Sequence, residues 1–316
     1  MPSTKEIKQR IKGIKSTGKI TRAMEMISAV KMRKAVAKVM AIRPYAEGSL
    51  QVLEQVSHAM KDEEHPLMQK RMVARVLFVV VTSNKGLCGS FNTQVMRQVK
   101  QEIETLQKKE ASLETIDFIS LGKKGDMMLR RFEGTIQASF PDVLTAESSE
   151  NIRPIAHYIL ENFTNGTYDK VMLLYTDYVS ALTQQTKSRR LLPLSVGALS
   201  DEVTEMEYTQ MSGQSQGRDV DKSESEANAD ALYAIEPSPE TVFRALVPRL
   251  LEMQLRHAIL ESNASQESAR MIAMRNATDA AKDMVSDYTQ TYNQLRQAKV
   301  TQEIAELSAG MAAVNG

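Results

Sequence analysis

The sequence predicts an α/β protein in which a mainly parallel sheet is flanked in the chain by two very long helices, one at each end. Three observations carry this. Helix-spaced apolar residues occupy the first 60 residues, strands and helices alternate over 72–195, and a helical pattern interrupted only by Pro248, close to its start, fills 238–312. Composition agrees with a globular class: 42% hydrophobic and 25% charged residues in a chain of 316. No apolar run nears the roughly 18–20 residues needed to span a bilayer. The longest, Val76–Val81, is the size of a strand.

The net charge of +1 conceals two opposed regions. Residues 1–43 hold twelve Lys/Arg against Glu6 and Glu25, and residues 196–236 hold ten acidic residues against Arg218 and Lys222. The first region reads as a helix. Ser3 and Thr4 offer an N-cap before Glu6. Apolar residues follow at Ile7, Ile11 and Ile14, then at Ile20, Met24 and Ile27. So narrow a stripe suits a partner helix better than a globular core. Gly13 and Gly18 each weaken the helix by about 1 kcal/mol relative to Ala. Pro44 is expected to kink or break it, and Pro66 to end the region.

From Val73 to Thr82 the chain is apolar and β-branched, hence a buried strand. Phe91–Lys109 is amphipathic. Ile116–Leu121 is a second strand, followed by Gly122 and a short helix through Arg131. Ile152–Asn162 is another helix, Val171–Tyr175 a third strand and Gln184–Leu194 a fourth. The acidic stretch 196–236, rich in Ser, Gly, Gln and Asn, has too few apolar residues to offset its ordering entropy and is expected to be a mobile insertion.

Ser238-Pro239-Glu240 marks a helix start. Stepping alternately by four and three residues from Leu246 to Leu295 touches fifteen positions, twelve of them apolar. That rhythm predicts a left-handed coiled coil. About 70 residues at 1.5 Å each make a rod of roughly 105 Å, longer than a globule of this size. The two end helices bury both stripes if they pair antiparallel. The tail from Ile304 to Val314 is apolar and small; it reads either as a frayed end or as a tip for an apolar socket.

The chemistry-bearing signals are weak. Ser83–Ser90 lies between strand and helix, where a phosphate loop would sit, but lacks the spacing of the known glycine-rich phosphate motifs; a tight turn explains it better. Gly122-Lys123-Lys124-Gly125 is equally weak. Cys88, the only cysteine, has no His or Asp close in sequence and reads as a buried small hydrophobe. His58, His65, His157 and His257 lack metal spacing. No catalytic set, metal site or cofactor site emerges. Two readings remain open from the residues alone: a nucleotide-binding α/β protein with coiled-coil arms, and a basic coiled-coil nucleic-acid binder.

Longer stretches narrow this. Lys19–Met26 (KITRAMEM) with Lys31–Ala35 (KMRKA), Gly86–Asn92 (GLCGSFN), Leu191–Leu194 (LLPL), Ala269–Met274 (ARMIAM), Ala277-Thr278-Asp279, Tyr292-Asn293, Arg296-Gln297-Ala298 and Val300–Leu307 (VTQEIAEL) with Gly310 resemble, in order, the gamma subunit of bacterial F-type ATP synthase. Gln266, Ala280, Val300 and Met311 depart mildly from the family pattern. The segment after Leu194 lies where plant chloroplast members carry a redox-regulatory insertion, but it has no cysteine.

The resemblance implies a long antiparallel coiled coil of N- and C-terminal helices plus a Rossmann-like α/β domain. The expected parts are an N-terminal helix over 1–65, an α/β foot over 66–237 and a C-terminal helix over 238–316. It implies a non-catalytic rotor shaft, without cofactor, metal or nucleic acid, driven by proton or sodium flow. Its partners would be the alpha and beta subunits, the epsilon subunit and the c-subunit ring, and its place the cytoplasmic face of a bacterial inner membrane. Matched residue by residue, Arg296, Gln297, Thr301 and Glu303 would contact beta, as would Met24, Lys31 and Arg33. Arg270 would support the shaft's polar contacts. Tyr233 and Glu236 would lie where the foot meets the c ring and epsilon.

Overall fold

The computed structural model describes residues 3–58, 66–69, 71–110, 112–141, 143, 152–194, 236 and 238–315. Along the chain run helix α1 (Thr4–His58), strand β1 (Arg75–Val81), α2 (Phe91–Lys109), β2 (Thr115–Leu121), α3 (Lys123–Leu129), β3 (Thr135–Ser139), α4 (Arg153–Thr164), β4 (Lys170–Tyr178), β5 (Gln184–Leu192) and α5 (Pro239–Asn315). The expected acidic insertion, like Tyr233, lies outside the described residues, and only its last residue, Glu236, is seen.

The chain divides into two compact units. One is Met1–Val30 with Arg270–Gly316; the other is Lys31–Ala269. In the larger unit the sheet order is β3-β2-β1-β4-β5. β1, β2, β3 and β4 are parallel, and β5 returns antiparallel to β4. β1 is central, and from Val76 to Val81 every residue is buried, as a parallel strand covered on both faces requires. Alternate residues feed two cores. Val76, Phe78 and Val80 meet Val95 and Val99 of α2, with Phe78 stacked on Phe118 at 5.9 Å. Leu77, Val79 and Val81 meet Ile155 and Ile159 of α4 and a long run of α5, including Phe243, Val247, Leu251 and Leu255.

That second core alters the expected role of α5. Its early seam, Leu250 and Met253 among it, belongs to the core on the sheet. Polar side chains fix it there: the Ser262 hydroxyl accepts the Thr176 N–H at 3.1 Å, the Ser265 hydroxyl donates to the Thr176 carbonyl at 3.2 Å, and Glu261 accepts the Tyr178 N–H at 2.9 Å. Pro248 lies inside this stretch without ending the helix.

Other expectations differ in detail. Pro44 does not break α1, which continues to His58. β3 was not anticipated: TIQAS is short and half exposed at a sheet edge, so it lacks the apolar run that marks β1. The start of α1 is a capping box, with the Glu6 N–H donating to the Ser3 hydroxyl at 3.3 Å and the Ser3 N–H to the Glu6 carboxylate at 3.2 Å.

The turn after β2 is sterically exact. Gly122 sits at φ +118°, and a Cβ there would fall 2.5 Å from the Thr82 carbonyl oxygen. The Thr82 hydroxyl meanwhile accepts the Gly125 N–H at 2.8 Å. We expect Gly122→Ala to cost more than the about 1–3 kcal/mol of backbone strain alone. Thr82→Val, which leaves that buried N–H unpaired, should cost about 1–3 kcal/mol. Urea unfolding of the full chain checks both; unchanged midpoints would contradict the role of this turn.

Candidate partner-binding surfaces

The smaller unit is built from the first part of α1 and the last part of α5. Thr21 and Thr278 share a buried hydrogen bond of 2.7 Å. A Cβ added at Gly18 would lie 3.4 Å from the Ala281 Cβ. Moving back along α1 therefore moves forward along α5, so the two helices run in opposite directions. On α5 the buried and half-buried residues from Met274 to Leu295 are Met274, Ala277, Thr278, Ala281, Val285, Tyr288, Tyr292 and Leu295, and all but Ala277 keep the four-and-three rhythm read from the sequence. On α1 the same rhythm joins the buried and half-buried Ile7, Ile11, Ile14, Gly18, Thr21, Glu25 and Ser28, with Met24 and Ala29 half-buried beside them.

This corrects the stripe expected on α1. Ile20 and Ile27 are 61% and 56% exposed, while small and polar residues take the contact positions. The steps of four and three that start at Ile7 arrive at Gly18 and Thr21, not Ile20. The structure keeps that rhythm because Gly18 can approach Ala281 closely. Thr278 also donates to the Met274 carbonyl at 2.8 Å, so its hydroxyl is satisfied within the seam.

Beyond Leu295 the side chains of α5 are exposed through Met311. The expected contact residues Arg296, Gln297, Thr301 and Glu303 all lie here and face solvent. Thr301 donates to the Gln297 carbonyl at 2.9 Å, and Lys299 pairs with Glu303 at 3.7 Å. At 3.6 residues per turn, Arg296 and Glu303 share a face, and Gln297 and Thr301 share another about 130° round the helix. Between these two polar pairs runs an apolar stripe, Val300, Ile304, Leu307 and Met311, with Leu307 at 71% exposure. Its helical spacing makes one continuous face, which extends the apolar tail read from Ile304 onward back to Val300.

The other expected residues are placed less tellingly. Met24 is half-buried in the smaller unit, Lys31 and Arg33 are exposed on α1 in the larger, and Glu236 is exposed. Arg270 is buried, as suits a supporting role rather than a contact.

The loop between β1 and α2 bears on the nucleotide-binding alternative. Ser83 N–H donates to Asn92, Lys123 N–H to the Asn84 side chain, Lys124 N–H to the Ser83 carbonyl and Gly125 N–H to Thr82. The donors that a phosphate would need at the start of α3 are thus engaged by the chain itself. In open α/β sheets the usual ligand crevice lies where the strand order reverses, here between β1 and β4. The end of β4 is already capped by Glu261 and Ser262 of α5. Cys88 is buried, accepting from the Asn92 amide at 3.3 Å, as a structural thiol would be. Leu87 is 60% exposed at φ 64°, an unusual conformation for a residue with a branched side chain. Among the described residues no cluster of three or more His, Cys, Asp or Glu could hold a metal.

Comparison with known proteins follows the same lines. The ATP synthase family model matches residues 3–314. The ATP synthase gamma chain of Heliobacterium modesticaldum is 37% identical over 314 residues, covering 99% of this chain and all of the relative. That of Roseiflexus castenholzii is 38% identical over 316 residues, covering 99% of each. Among solved structures, the central stalk and c ring of the Tetrahymena thermophila mitochondrial ATP synthase matches with TM-score 0.57 at 24% identity, over 82% of this chain and 99% of that one. A chain of the Euglena gracilis mitochondrial enzyme matches with TM-score 0.62 at 19% identity, over 98% and 94%. These structural likenesses concern the fold.

Two predictions follow from the paired helices. Thr278→Val removes the hydrogen bond across the seam while the Thr21 hydroxyl keeps its bond to the Gly18 carbonyl at 3.1 Å, so it should lower helix protection by about 0.5–1.5 kcal/mol, whereas Thr21→Val with Thr278→Val should cost less than the single changes suggest. Amide hydrogen exchange around residue 278 reads this; equal, additive losses would contradict it. Asp279 is held below the ordinary carboxylate range, chiefly by the hydrogen bond from Lys282. A depressed carboxylate stabilises above its unfolded pKa and loses that contribution as pH falls through the folded value. Lys282→Gln should therefore raise the Asp279 titration midpoint seen by NMR; an unmoved midpoint would remove the pairing.

Proposed function

The chain belongs to the ATP synthase gamma chain family, and from that premise we infer how its surfaces work. It is the central rotor shaft of an ATP synthase, the subunit that couples rotation of the c ring to conformational change in the catalytic subunits. ATP chemistry resides on the beta subunits, not here. The observation that carries the reading is the full-length relationship to gamma chains, read together with the exposed end of α5.

In the reading proposed here, the paired ends of α1 and α5 form an antiparallel coiled coil inside a hexamer of alternating alpha and beta subunits. The exposed apolar stripe Val300–Met311 seats in an apolar socket of that hexamer. Covering side chains such as Ile304 and Leu307 stabilises by about 1.5–3 kcal/mol each, which offsets their exposure in the free chain. Arg296 and Glu303 on one side of that stripe, and Gln297 and Thr301 on the other, meet loops of beta, and Met24, Lys31 and Arg33 do so from α1. Tyr233 and Glu236 belong to the foot, against epsilon and the c ring. The shaft presents different side chains around its circumference, so at any angle it contacts the three beta subunits unequally. Unequal contact is differential binding free energy, which is what an effector needs to bias conformations. The domain division at about 65 and 237 is proposed on the same ground.

No described helix is long and apolar enough to cross a membrane. We place the chain peripherally, on the cytoplasmic face of a bacterial inner membrane, attached through the ring.

Tagged chain should co-purify alpha and beta subunits together with ATPase activity; a monodisperse monomer that ignores both at micromolar concentration would sink the reading. Arg296→Ala with Gln297→Ala lies outside the helix seam, so the isolated chain should keep its circular dichroism and melting profile. Coupled ATP synthesis should fall severalfold, as expected when about 1 kcal/mol of polar contact is lost. Normal synthesis by this variant would remove the pair from the contact surface.

A further inference from the structure

Between residues 14–22 of α1 and 278–285 of α5 the paired helices leave a cavity of about 460 Å³. Its floor is apolar, made by Ile14, Gly18, Ala281 and Val285. Gly18 opens it, because a side chain at that position would point toward Ala281 and occupy the notch. The one polar floor residue, Thr278, has its hydroxyl engaged by Thr21 and the Met274 carbonyl, so the floor makes no demand for a polar ligand group.

The rim is cationic, with Lys15, Lys19, Arg22 and Lys282. Two of these are already balanced: Arg22 lies 3.9 Å from Glu25, and Lys282 is 2.7 Å from Asp279. Lys15 and Lys19 have no hydrogen bond or ion pair among the described residues, and they stand one turn apart on the same edge of α1. No acidic residue lines the cavity. An apolar floor beneath two unneutralised ammonium groups matches a ligand with an apolar body and one anionic end.

We propose that this notch binds a small amphipathic carboxylate, a medium-chain fatty acid anion being the simplest member. Its tail lies along Ile14, Gly18 and Ala281 toward Val285, and its carboxylate sits between Lys15 and Lys19. The proposal is independent of the rotor reading, since it needs only the two paired helices of this chain.

The test uses the full chain with labelled Ile and Val methyl groups, titrated with decanoate below its micelle concentration. Saturable shifts are expected at Ile14 and Val285, with little movement at Ile20, Ile27 or Ile304. Decanol, with the same tail and no charge, and acetate, with the charge and no tail, should each bind at least about tenfold more weakly. Lys15→Gln with Lys19→Gln changes only exposed side chains and should weaken decanoate about tenfold, near the upper end for two surface ion pairs. Gly18→Leu should abolish binding by filling the floor.

Equal binding of decanol, or undiminished binding by the lysine variant, would overturn the proposal. So would non-saturating shifts spread over the exposed Ile methyl groups. An acidic, leucine-containing peptide that moves the Ile14 and Val285 methyls when decanoate does not would overturn it in favour of a protein segment as occupant. If Gly18→Leu disturbs the helix pairing, the lysine variant and the decanol comparison still decide.

Discussion

A helix of 77 residues cannot bury its own apolar stripe, and the rest of the structure depends on what covers it. Along α5 the cover changes twice. Near Phe243–Ile259 the helix is part of the sheet core and is buried on more than one side. From Met274 to Leu295 a single stripe is shielded, opposite the start of α1. From Arg296 to Met311 the side chains are exposed, including four large apolar ones. Burial thus fades toward the C-terminus, and the exposed apolar side chains of α5 gather at the end furthest along the chain from the sheet.

The seam between the two end helices is unlike a tightly packed leucine zipper. Gly18 faces Ala281 and Thr21 faces Thr278, so the centre of the contact is small and polar. Such residues fix register through a specific hydrogen bond but contribute less buried apolar area than Leu or Ile would. They also leave the notch beside Gly18. The large apolar residues near the seam, Ile20 and Ile27, are exposed instead of filling it. Pairing here is specific rather than strong.

Much of this was legible in the sequence because periodicity reports burial directly. The strands β1 and β2, the helix α2 and the four-and-three rhythm of α5 follow from runs of Val, Ile and Leu at the right intervals. The illegible parts have physical causes. β3 sits at a sheet edge with half its residues in solvent, so it carries no apolar signature. The seam of α1 runs through Gly18 and Thr21 because close approach, not hydrophobicity, selects those positions; an apolar count is drawn instead to Ile20 and Ile27. The early part of α5 looks like coiled coil because the same rhythm serves a helix lying on a sheet. Among candidate contact residues, the polar ones at 296–303 rest on family resemblance, since exposed Arg and Gln on a helix have no periodic mark of their own. Their common exposure, on either side of the apolar stripe from Val300 to Met311, is what the structure adds.

The most direct test watches the shaft turn. The chain with Cys88→Ser and Leu182→Cys carries one exposed thiol on the hairpin between β4 and β5, where Leu182 is 80% exposed. Assembled with alpha and beta subunits fixed to a surface, it is labelled there with a visible filament and supplied with ATP. The account predicts continuous rotation of the filament in one sense, stopping when ATP is exhausted. A filament that stays still, or only jitters, on complexes that hydrolyse ATP at the full rate would contradict it.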